Sequence, residues 1–442
     1  MEEYYKNITE HLITLETSLH RRRTRTLQEM EQFAVSVKSI VDRVLLAFAA
    51  HPHANAKISK DRNFYVQSRY TVSNLSFRTT IESVLPLMVE DGWVEIIRRG
   101  SFDKETGKGK QTEIRGTKKL TDMFKEYKTE LPRIMKRQPA IETIRLHNDM
   151  GRNIDYEDND RTNLWRDNLT KINTCLLRHW SYLDLTKNEW SLLQQEAMAN
   201  ADHFYLPVDV SRQTLYRVFN SPNFNEGGRF YGGWWQSIPS RYRSMIILDG
   251  KQTVELDYGQ LNPTMMYAKA GRTLDGDAYD IGISSDYRDI IKQAFNSMVQ
   301  ARRKLIQPPR KLPISITGLK WKEIAERILQ RHEPIKDMFF KGIGNTLQFE
   351  DSQIAEKVML HFVKWDAPIL PVHDSFISHH GYESDLNDVM SDAFEQQYGV
   401  KAKIKLEEKK YVRLRDQDDG DDMTMESILA HFDEYGDIYG RG

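Results

Sequence analysis

The stretch TVELDYGQLNPTMMY, residues 253–267, constrains the fold more than any other part of the chain. Its apolar residues alternate with Glu255 and Asp257, which is the period-two pattern of a strand with one buried face. The backbone then turns at Tyr258-Gly259, and LNPTMMYAKA predicts a helix whose first turn tolerates Pro263. The pattern therefore places Asp257 near the end of a strand, just before a helix. A carboxylate in that position either binds a divalent metal or is structural.

Length and composition limit the class of protein. The chain has 442 residues, enough for two or three domains. With 63 Lys and Arg against 64 Asp and Glu, overall charge does not indicate a nucleic-acid ligand, so local charge has to be considered. The single cysteine, Cys175, excludes a disulfide framework or a zinc finger and fits a reducing compartment. No apolar run reaches the roughly 18 residues of a membrane helix, and we expect a soluble, cytoplasmic protein with no membrane contact.

The first 57 residues are expected to form a helical segment, because apolar residues recur at spacings of three and four. HRRRTR at residues 20–25 interrupts this pattern. It is interpreted as a solvated helix face, with a phosphate-backbone contact as the alternative. HPHANAK, residues 51–57, is predicted to be a linker.

A compact unit is expected over residues 58–127. A helical pattern over residues 77–88 precedes two strands, WVEIIRRG and KQTEIRG, which flank the polar turn FDKETGKG of a predicted hairpin. Helices followed by a basic hairpin resemble a winged helix. Residues 92–120 carry eight basic and four acidic side chains, which suits a phosphate backbone, and a small α/β packing module is the alternative. The predicted nucleic-acid contacts of this unit are Arg98, Arg99, Lys108 and Lys110.

Residues 128–225 are expected to be a mostly helical thumb or linker region. Four segments after it carry the functional pattern. They are GGRFYGGWWQSIPSR (227–241), YRDIIKQAFNSMVQARRK (287–304), GNTLQFEDSQIAEKVM (344–359) and ILPVHDSFI (369–377). The last is predicted to be one strand, with Asp374 and His373 on opposite faces.

In this order the segments resemble the palm and fingers of family A DNA polymerases, the bacterial repair type, with some features of single-subunit phage-type RNA polymerases. The matches are Gly228-Arg229, Gln236-Ser237-Ile238-Pro239, Asp257-Tyr258-Gly259-Gln260-Leu261-Asn262, Arg288 with Lys292, and His373-Asp374. The resemblance covers roughly residues 225–410. It implies an α/β (α+β) palm with an antiparallel sheet and a helical fingers insertion over residues 226–415, preceded by the helical segment and the winged-helix-like domain.

The resemblance also implies a two-metal site. Asp257 and Asp374 would hold two Mg²⁺ ions, with Mn²⁺ as the alternative, about 3.5–4 Å apart. Arg288 and Lys292 share one helix face, where like charges repel and an anion would relieve them. The family grips the nucleoside triphosphate there, and Lys292 would act as a catalytic acid towards the leaving pyrophosphate.

The remaining site residues also follow from the resemblance. Tyr258, Asn262 and Asn296 are the further predicted nucleotide contacts. Arg229, Gln236, Gln348 and His373 are the predicted contacts with primer-template DNA.

The expected function is a template-directed nucleotidyltransferase, a small DNA polymerase, and no paired acidic motif in the first half is typical of a proofreading exonuclease. Asn262 stands where the family has a Glu that crowds the sugar 2′ position, and the last motif continues as His-Asp-Ser-Phe. These departures leave an RNA-synthesising, primase-like or transcriptional enzyme as the alternative, with RNA as a further partner. An alternative of another class is a winged-helix replication initiator or regulator with an inactive palm.

KAKIKLEEKKYVRL is expected to be an edge strand of the palm, and an acidic tail follows at residues 416–442. Nine acidic residues and no Lys or Arg lie between residues 416 and 437. Such a segment repels nucleic acid, and we expect it to fold on a protein partner or on the basic cleft of the protein itself.

Overall fold

The computed structural model describes residues 2–19, 23–50, 55–66, 68–71, 74–103, 108–126, 139–199, 208–310 and 312–407. Within these ranges lie two hydrophobic cores, one built from residues between Tyr4 and Leu120 and one from residues between Ile144 and Phe394. Val210 packs against both cores. The acidic tail falls outside the described residues, and so does its predicted partner contact.

The helices are α1 (Glu2–Leu19), α2 (Leu27–Ala50), α3 (Leu85–Glu90), α4 (Lys118–Glu126), α5 (Asp160–Arg178), α6 (Lys187–Ala199), α7 (Ser240–Arg243), α8 (Leu261–Lys269), α9 (Arg288–Gln300), α10 (Trp321–Arg331), α11 (Gly344–Val363) and α12 (Glu383–Tyr398). The strands are β1 (Ala56–Ile58), β2 (Val94–Arg98), β3 (Ser101–Asp103), β4 (Lys108–Lys110), β5 (Thr112–Gly116), β6 (Ile144–His147), β7 (Asn153–Ile154), β8 (Ser181–Leu183), β9 (Tyr216–Phe219), β10 (Gly227–Tyr231), β11 (Ile246–Leu248), β12 (Lys251–Tyr258), β13 (Leu370–Val372), β14 (Ser375–His379) and β15 (Ile404–Leu406).

The N-terminal core joins α1 and α2 to the unit that follows them. The predicted hairpin is confirmed, because β2 pairs antiparallel with β5, with Ile96 opposite Ile114. β3 and β4, which come between β2 and β5 in the sequence, form a separate antiparallel ribbon. β1 pairs with β5 and completes a three-stranded sheet of order β1-β5-β2. Part of the predicted linker at residues 51–57 is strand, since Ala56 begins β1. Helices and sheet thus share one core, and the boundary at residue 57 stays a prediction.

The C-terminal core combines helices with an antiparallel sheet, so the fold is mixed α/β, as the sequence predicted. Its strands run in the order β13-β14-β12-β11-β8, and β15 pairs with the other side of β12. A second sheet has the order β10-β9-β6-β7, in which β6 and β9 are parallel. Residues 128–225 were expected to be mostly helical, yet they also supply β6 to β9. Helix α11 packs against β10, α5 and α12.

Strand β12 ends where the sequence predicted a change to helix. Leu256 and Tyr258 are buried and Asp257 between them is half-buried, because neighbouring residues of a strand face opposite sides. The N–H of Gly259 donates to the carbonyl of Lys403 at 2.8 Å. Gln260 has a φ of 59°, a left-handed conformation that turns the chain into α8.

The segment predicted as one strand, residues 369–377, is a hairpin instead. β13 and β14 pair antiparallel with Val372 opposite Ser375, so His373 and Asp374 form its two-residue turn. His373 has a φ of 58°. This conformation reverses the chain, and it overrides the alternation from which a continuous strand was expected. Among the described residues, no helix has both the length and the apolar character to cross a membrane.

Candidate active site

The candidate site forms where the β13–β14 hairpin pairs with β12. Asp257 lies opposite Ser375, the residue after Asp374, and the N–H of Tyr258 donates to the carbonyl of Asp374 at 3.3 Å. Two acidic residues separated by more than a hundred positions in sequence are thereby neighbours at one end of the sheet. On its other side Asp257 lies opposite Lys405 of β15.

The electrostatics of this position disfavour an ionised Asp257. Burial, and then the charges of Asp374 and Glu407, raise the pKa of Asp257 to about 8, although Lys292 opposes the shift. Like-charged carboxylates in a half-buried place are relieved by a cation. Carboxylate oxygens are also the ligands that Mg²⁺ prefers. The residues present therefore fit a divalent metal.

Ser375 and Glu255 hold the hairpin against β12. The Ser375 hydroxyl donates to one carboxylate oxygen of Glu255 at 2.6 Å, and the Arg243 Nε donates to the other at 2.8 Å. Ser375 is thus engaged with Glu255, which fixes the strand directly after Asp374.

Asp351 is a third carboxylate of the site, and the sequence did not identify it. The Arg229 guanidinium binds it, with its Nε 2.7 Å and its Nη2 2.6 Å from the Asp351 Oδ2. Burial raises the pKa of Asp351 to about 6, with Arg229 lowering it and Asp374 raising it. The available signal was its spacing on α11, four residues after Leu347 and three before Ile354, which places an acid on the buried face.

A cleft of about 500 Å³ lies beside Asp257. Among the residues that line it are Asp257, Gln260, Tyr279, Arg288, Lys292, Lys403, Lys405 and Glu407. Lys292 is exposed on α9. Lys403 and Lys405 were not singled out from sequence, although the alternation of KAKIKL places both on one face of an edge strand.

Arg288 already has an acidic partner. Its Nε lies 2.6 Å from the Asp277 Oδ2 and its Nη2 3.0 Å from the Oδ1, a bidentate pair, and its guanidinium lies over the Tyr279 ring at 4.9 Å. Sequence reasoning missed Asp277, because the segment that carries it has no periodic pattern. The like charges of Arg288 and Lys292 are therefore partly balanced without a ligand.

The two asparagines predicted to contact the nucleotide bind each other. The Asn262 Nδ2 on α8 donates to the Asn296 Oδ1 on α9 at 3.0 Å, and both side chains are half-buried. This bond joins the start of α8 to the predicted fingers helix.

Tyr258 is corrected from a nucleotide contact to a core residue. Its side chain is 2% exposed, its hydroxyl donates to the Met390 carbonyl at 2.6 Å, and its ring packs near Phe376 and Phe394. A side chain in this position cannot reach a substrate in the cleft.

The predicted contacts with nucleic acid lie in different places. The Gln236 Nε2 donates to the carbonyls of Phe230 at 3.0 Å and Pro371 at 2.9 Å, so it braces β13. His373 is exposed in the hairpin turn, edge-on to the Tyr231 ring with the centroids 6.1 Å apart. Gln348 is half-buried on α11.

The predicted contacts of the hairpin unit belong to the N-terminal core. Arg98, which pairs with Glu113, is exposed, as are Arg99 and Lys110. The side chain of Lys108 lies outside what the structure describes. Of the described side chains in this group, none lines the cleft beside Asp257.

Comparison with known proteins adds little to this geometry. The chain matches no protein-family model, and no curated protein matches it. Among solved structures it is similar to the POL domain of Pol1 from M. smegmatis in a complex with DNA primer-template and dNTP. The identity is 9%, the match covers 86% of this chain and 84% of that chain, and the TM-score is 0.31. Likeness at this level assigns neither a family nor an activity, so both rest on the residues of the site.

Proposed function

We propose that the protein is a template-directed nucleotidyltransferase, a small DNA polymerase of family A type without proofreading. It would transfer a nucleotidyl group from a dNTP to the 3′-hydroxyl of a primer. The observation that carries the proposal is the pairing of β12 with the β13–β14 hairpin, which makes Asp257 and Asp374 neighbours beside a cleft lined by lysines.

Asp257 and Asp374 would hold the divalent ions. Bound Mg²⁺ would supply the Lewis-acid chemistry of phosphoryl transfer. Asp351 would act by positioning, because it fixes Arg229 close to Asp374. The raised pKa of Asp257 means that the cation and the proton compete for this carboxylate.

Lys292 and Arg288 would bind the triphosphate. Lys292 is exposed to the cleft and can hold a proton for the leaving pyrophosphate. The ion pair between Arg288 and Asp277 is partly exposed, and such a pair contributes about 0–1 kcal/mol to stability. A triphosphate, which carries more negative charge, could therefore displace Asp277 from Arg288 or share Arg288 with it. Lys403 and Lys405 add positive charge to the same cleft.

The primer-template would lie against the hairpin side of the site. His373 is exposed there and is the proposed direct contact, together with Gln348 on α11. Arg229 and Gln236 would act mainly by holding Asp351 and β13 in place, because Arg229 donates to Asp351 and Gln236 donates to the Pro371 carbonyl. The exposed Arg98, Arg99 and Lys110 are proposed to contact the DNA backbone from the N-terminal unit.

A primer-extension assay with the full chain tests the proposal. Primed, unprimed or absent template is combined with dNTPs or NTPs and Mg²⁺, for the wild type, for Asp257→Ala and for Asp388→Asn, an exposed acid on α12 that serves as the matched control. We expect extension by the wild type and the control and none by Asp257→Ala. Extension that survives Asp257→Ala would overturn the metal assignment. The absence of synthesis under every condition would favour the initiator or regulator with an inactive palm.

RNA synthesis is the second candidate, and Asn262 favours it. Its side chain is tied to Asn296, and it is shorter than the Glu that crowds the sugar in the family. Incorporation of NTPs at a rate equal to or above that of dNTPs would select this candidate. Discrimination that increases in Asn262→Glu would locate the choice of sugar at this residue.

A further inference from the structure

A second group of metal-ligating side chains lies away from the cleft. Cys175 and His179 lie at the end of α5, and Asp366 lies in the connection between α11 and β13. One ligand atom from each of these three residues lies within 4.8 Å of the others. None of the three lines the cleft beside Asp257.

The local structure brings the three ligand side chains close together. Cys175 lies in the last turn of α5, and His179 is the residue that caps the C-terminus of this helix. His179 leaves the helix with extended backbone, and its Nδ1 lies 2.5 Å from the Asp249 Oδ2 while its Nε2 lies 3.4 Å from the Asp366 Oδ1. Cys175 is 1% exposed and supplies the inner side of the group.

Asp249 fixes the orientation of the histidine ring. One of its carboxylate oxygens accepts the N–H of Trp180 at 2.8 Å and the other meets the His179 Nδ1. A carboxylate that holds one ring nitrogen, so that the other faces a ligand, is the usual partner of a metal-binding histidine. Here the nitrogen left facing the group is Nε2, which points towards Asp366.

We propose that Cys175, His179 and Asp366 bind a transition-metal ion, with Zn²⁺ as the best fit, in a site separate from the Mg²⁺ site. A sulfur, a nitrogen and a carboxylate oxygen suit Zn²⁺ and not Mg²⁺. Three protein ligands leave a fourth position for water. In tetrahedral zinc sites the ligand atoms lie about 3.3–3.8 Å apart. Binding would therefore draw in Asp366, which is exposed and pairs with the exposed Arg178.

The ion would tie three segments together. They are the end of α5, the β11–β12 turn through Asp249, and the connection that leads into β13. β12 carries Asp257 and β13 leads to Asp374, so the ion would anchor the two strands that assemble the catalytic acids. Coordination would release the Cys175 thiol proton to water.

The single cysteine makes the test specific. The full chain is stripped with a chelator and titrated with Co²⁺, which reports thiolate ligation through a sulfur-to-cobalt charge-transfer band in the near ultraviolet. We expect one equivalent to produce the band, Zn²⁺ to displace it, and Zn²⁺ to raise the melting temperature of the wild type. Cys175→Ser should lose the band, whereas Asp249→Asn should keep it with an affinity about 10–100-fold lower.

Two further variants guard against misfolding and against confusion with the catalytic site. Asp366→Asn changes an exposed residue, and it should weaken Co²⁺ binding even where Cys175→Ser fails to fold. Asp257→Ala should bind Co²⁺ at the thiolate site as the wild type does, so the proposal stands or fails independently of polymerase activity. No band in the wild type, or an equal Zn²⁺-induced rise in melting temperature in Asp366→Asn, would overturn it.

Discussion

At the scale of single residues, the protein places ionisable groups where burial makes their charged form costly. Asp257 is the clearest case, because burial and Asp374 raise its pKa to about 8 from an ordinary value of 3.8. The folded state retains a proton that the unfolded chain releases. The free energy of unfolding of the metal-free protein therefore falls as the pH rises from about 4 to about 8, and it levels off above that.

Asp257→Asn should remove this dependence. In chelator, the variant should melt at a higher temperature than the wild type at pH 8 and at a similar temperature near pH 4. Thermal melts across this pH range measure the difference, and Asp388→Asn should follow the wild type. Parallel curves for Asp257→Asn and the wild type would show that Asp257 ionises normally.

Arg217 is buried completely among aromatic rings. Its guanidinium lies 3.2 Å from the Glu356 carboxylate, donates to the Gly228 carbonyl at 2.8 Å and donates to the Ser352 hydroxyl at 2.9 Å. Burial lowers the pKa of Arg217 to about 10, with Glu356 opposing the shift. No sequence pattern marked this arginine, because burial alternates along β9 as it does along an ordinary strand.

Arg217→Met should destabilise the protein by about 3–5 kcal/mol, since it leaves the buried Glu356 carboxylate without its cationic partner. Urea unfolding followed by circular dichroism measures the loss. The double variant Arg217→Met/Glu356→Leu should recover much of it. A loss of equal size in the double variant would indicate that packing, and not the unpaired charge, is the cause.

At the scale of elements, the sequence predicted the strand and helix at Asp257 but not the turn at Asp374. The period-two pattern and Pro263 were sufficient for β12 and α8. The turn lacks the Asn-Gly or Asp-Gly pair that usually indicates a two-residue hairpin, and its reversal depends on a left-handed His373. Asp351 was missed because its role depends on Arg229, which lies more than a hundred positions earlier in the sequence. Asp277 was missed because its role depends on Arg288, which lies on α9.

The conformation of His373 gives a prediction for the hairpin. His373→Val should destabilise the turn by about 1–2 kcal/mol, because a β-branched residue disfavours positive φ, whereas His373→Gly should relieve strain. Thermal melts of both variants measure this. Equal melting temperatures for the two would indicate that the turn adopts another conformation.

At the scale of the whole molecule, Arg69 connects the two cores. Its guanidinium binds Asp155 at 2.7 Å, Asp158 at 3.0 Å and Glu142 at 3.5 Å, and it lies over the Tyr156 ring at 3.7 Å. Neighbouring Tyr70 donates its hydroxyl to the Ile154 carbonyl at 2.8 Å. Sequence patterns located some elements of each core, such as α2, β12 and α8, but they carry no information about such a contact between the cores.

Arg69→Ala should weaken the coupling of the two cores by about 1–3 kcal/mol, since it removes hydrogen bonds to charged groups. Calorimetry should then resolve two unfolding transitions, one for each core, and these transitions should overlap more in the wild type. Arg62→Ala, which removes a more exposed pair with Glu82, is the control. Unchanged overlap in Arg69→Ala would mean that other contacts hold the cores together.

The position of β12 between β14 and β15 also bears on how the protein is made. β12 also pairs with β11 near its start, but the strands that flank Asp257 are residues 375–379 and 404–406, both more than a hundred positions later in the chain. Contacts of such long range form slowly, because a long loop must close before they stabilise anything. During synthesis, Asp257 would therefore acquire its two neighbours only after Ser375 and Lys405 had been made. The candidate metal site would therefore be among the last parts of the described chain to form during synthesis.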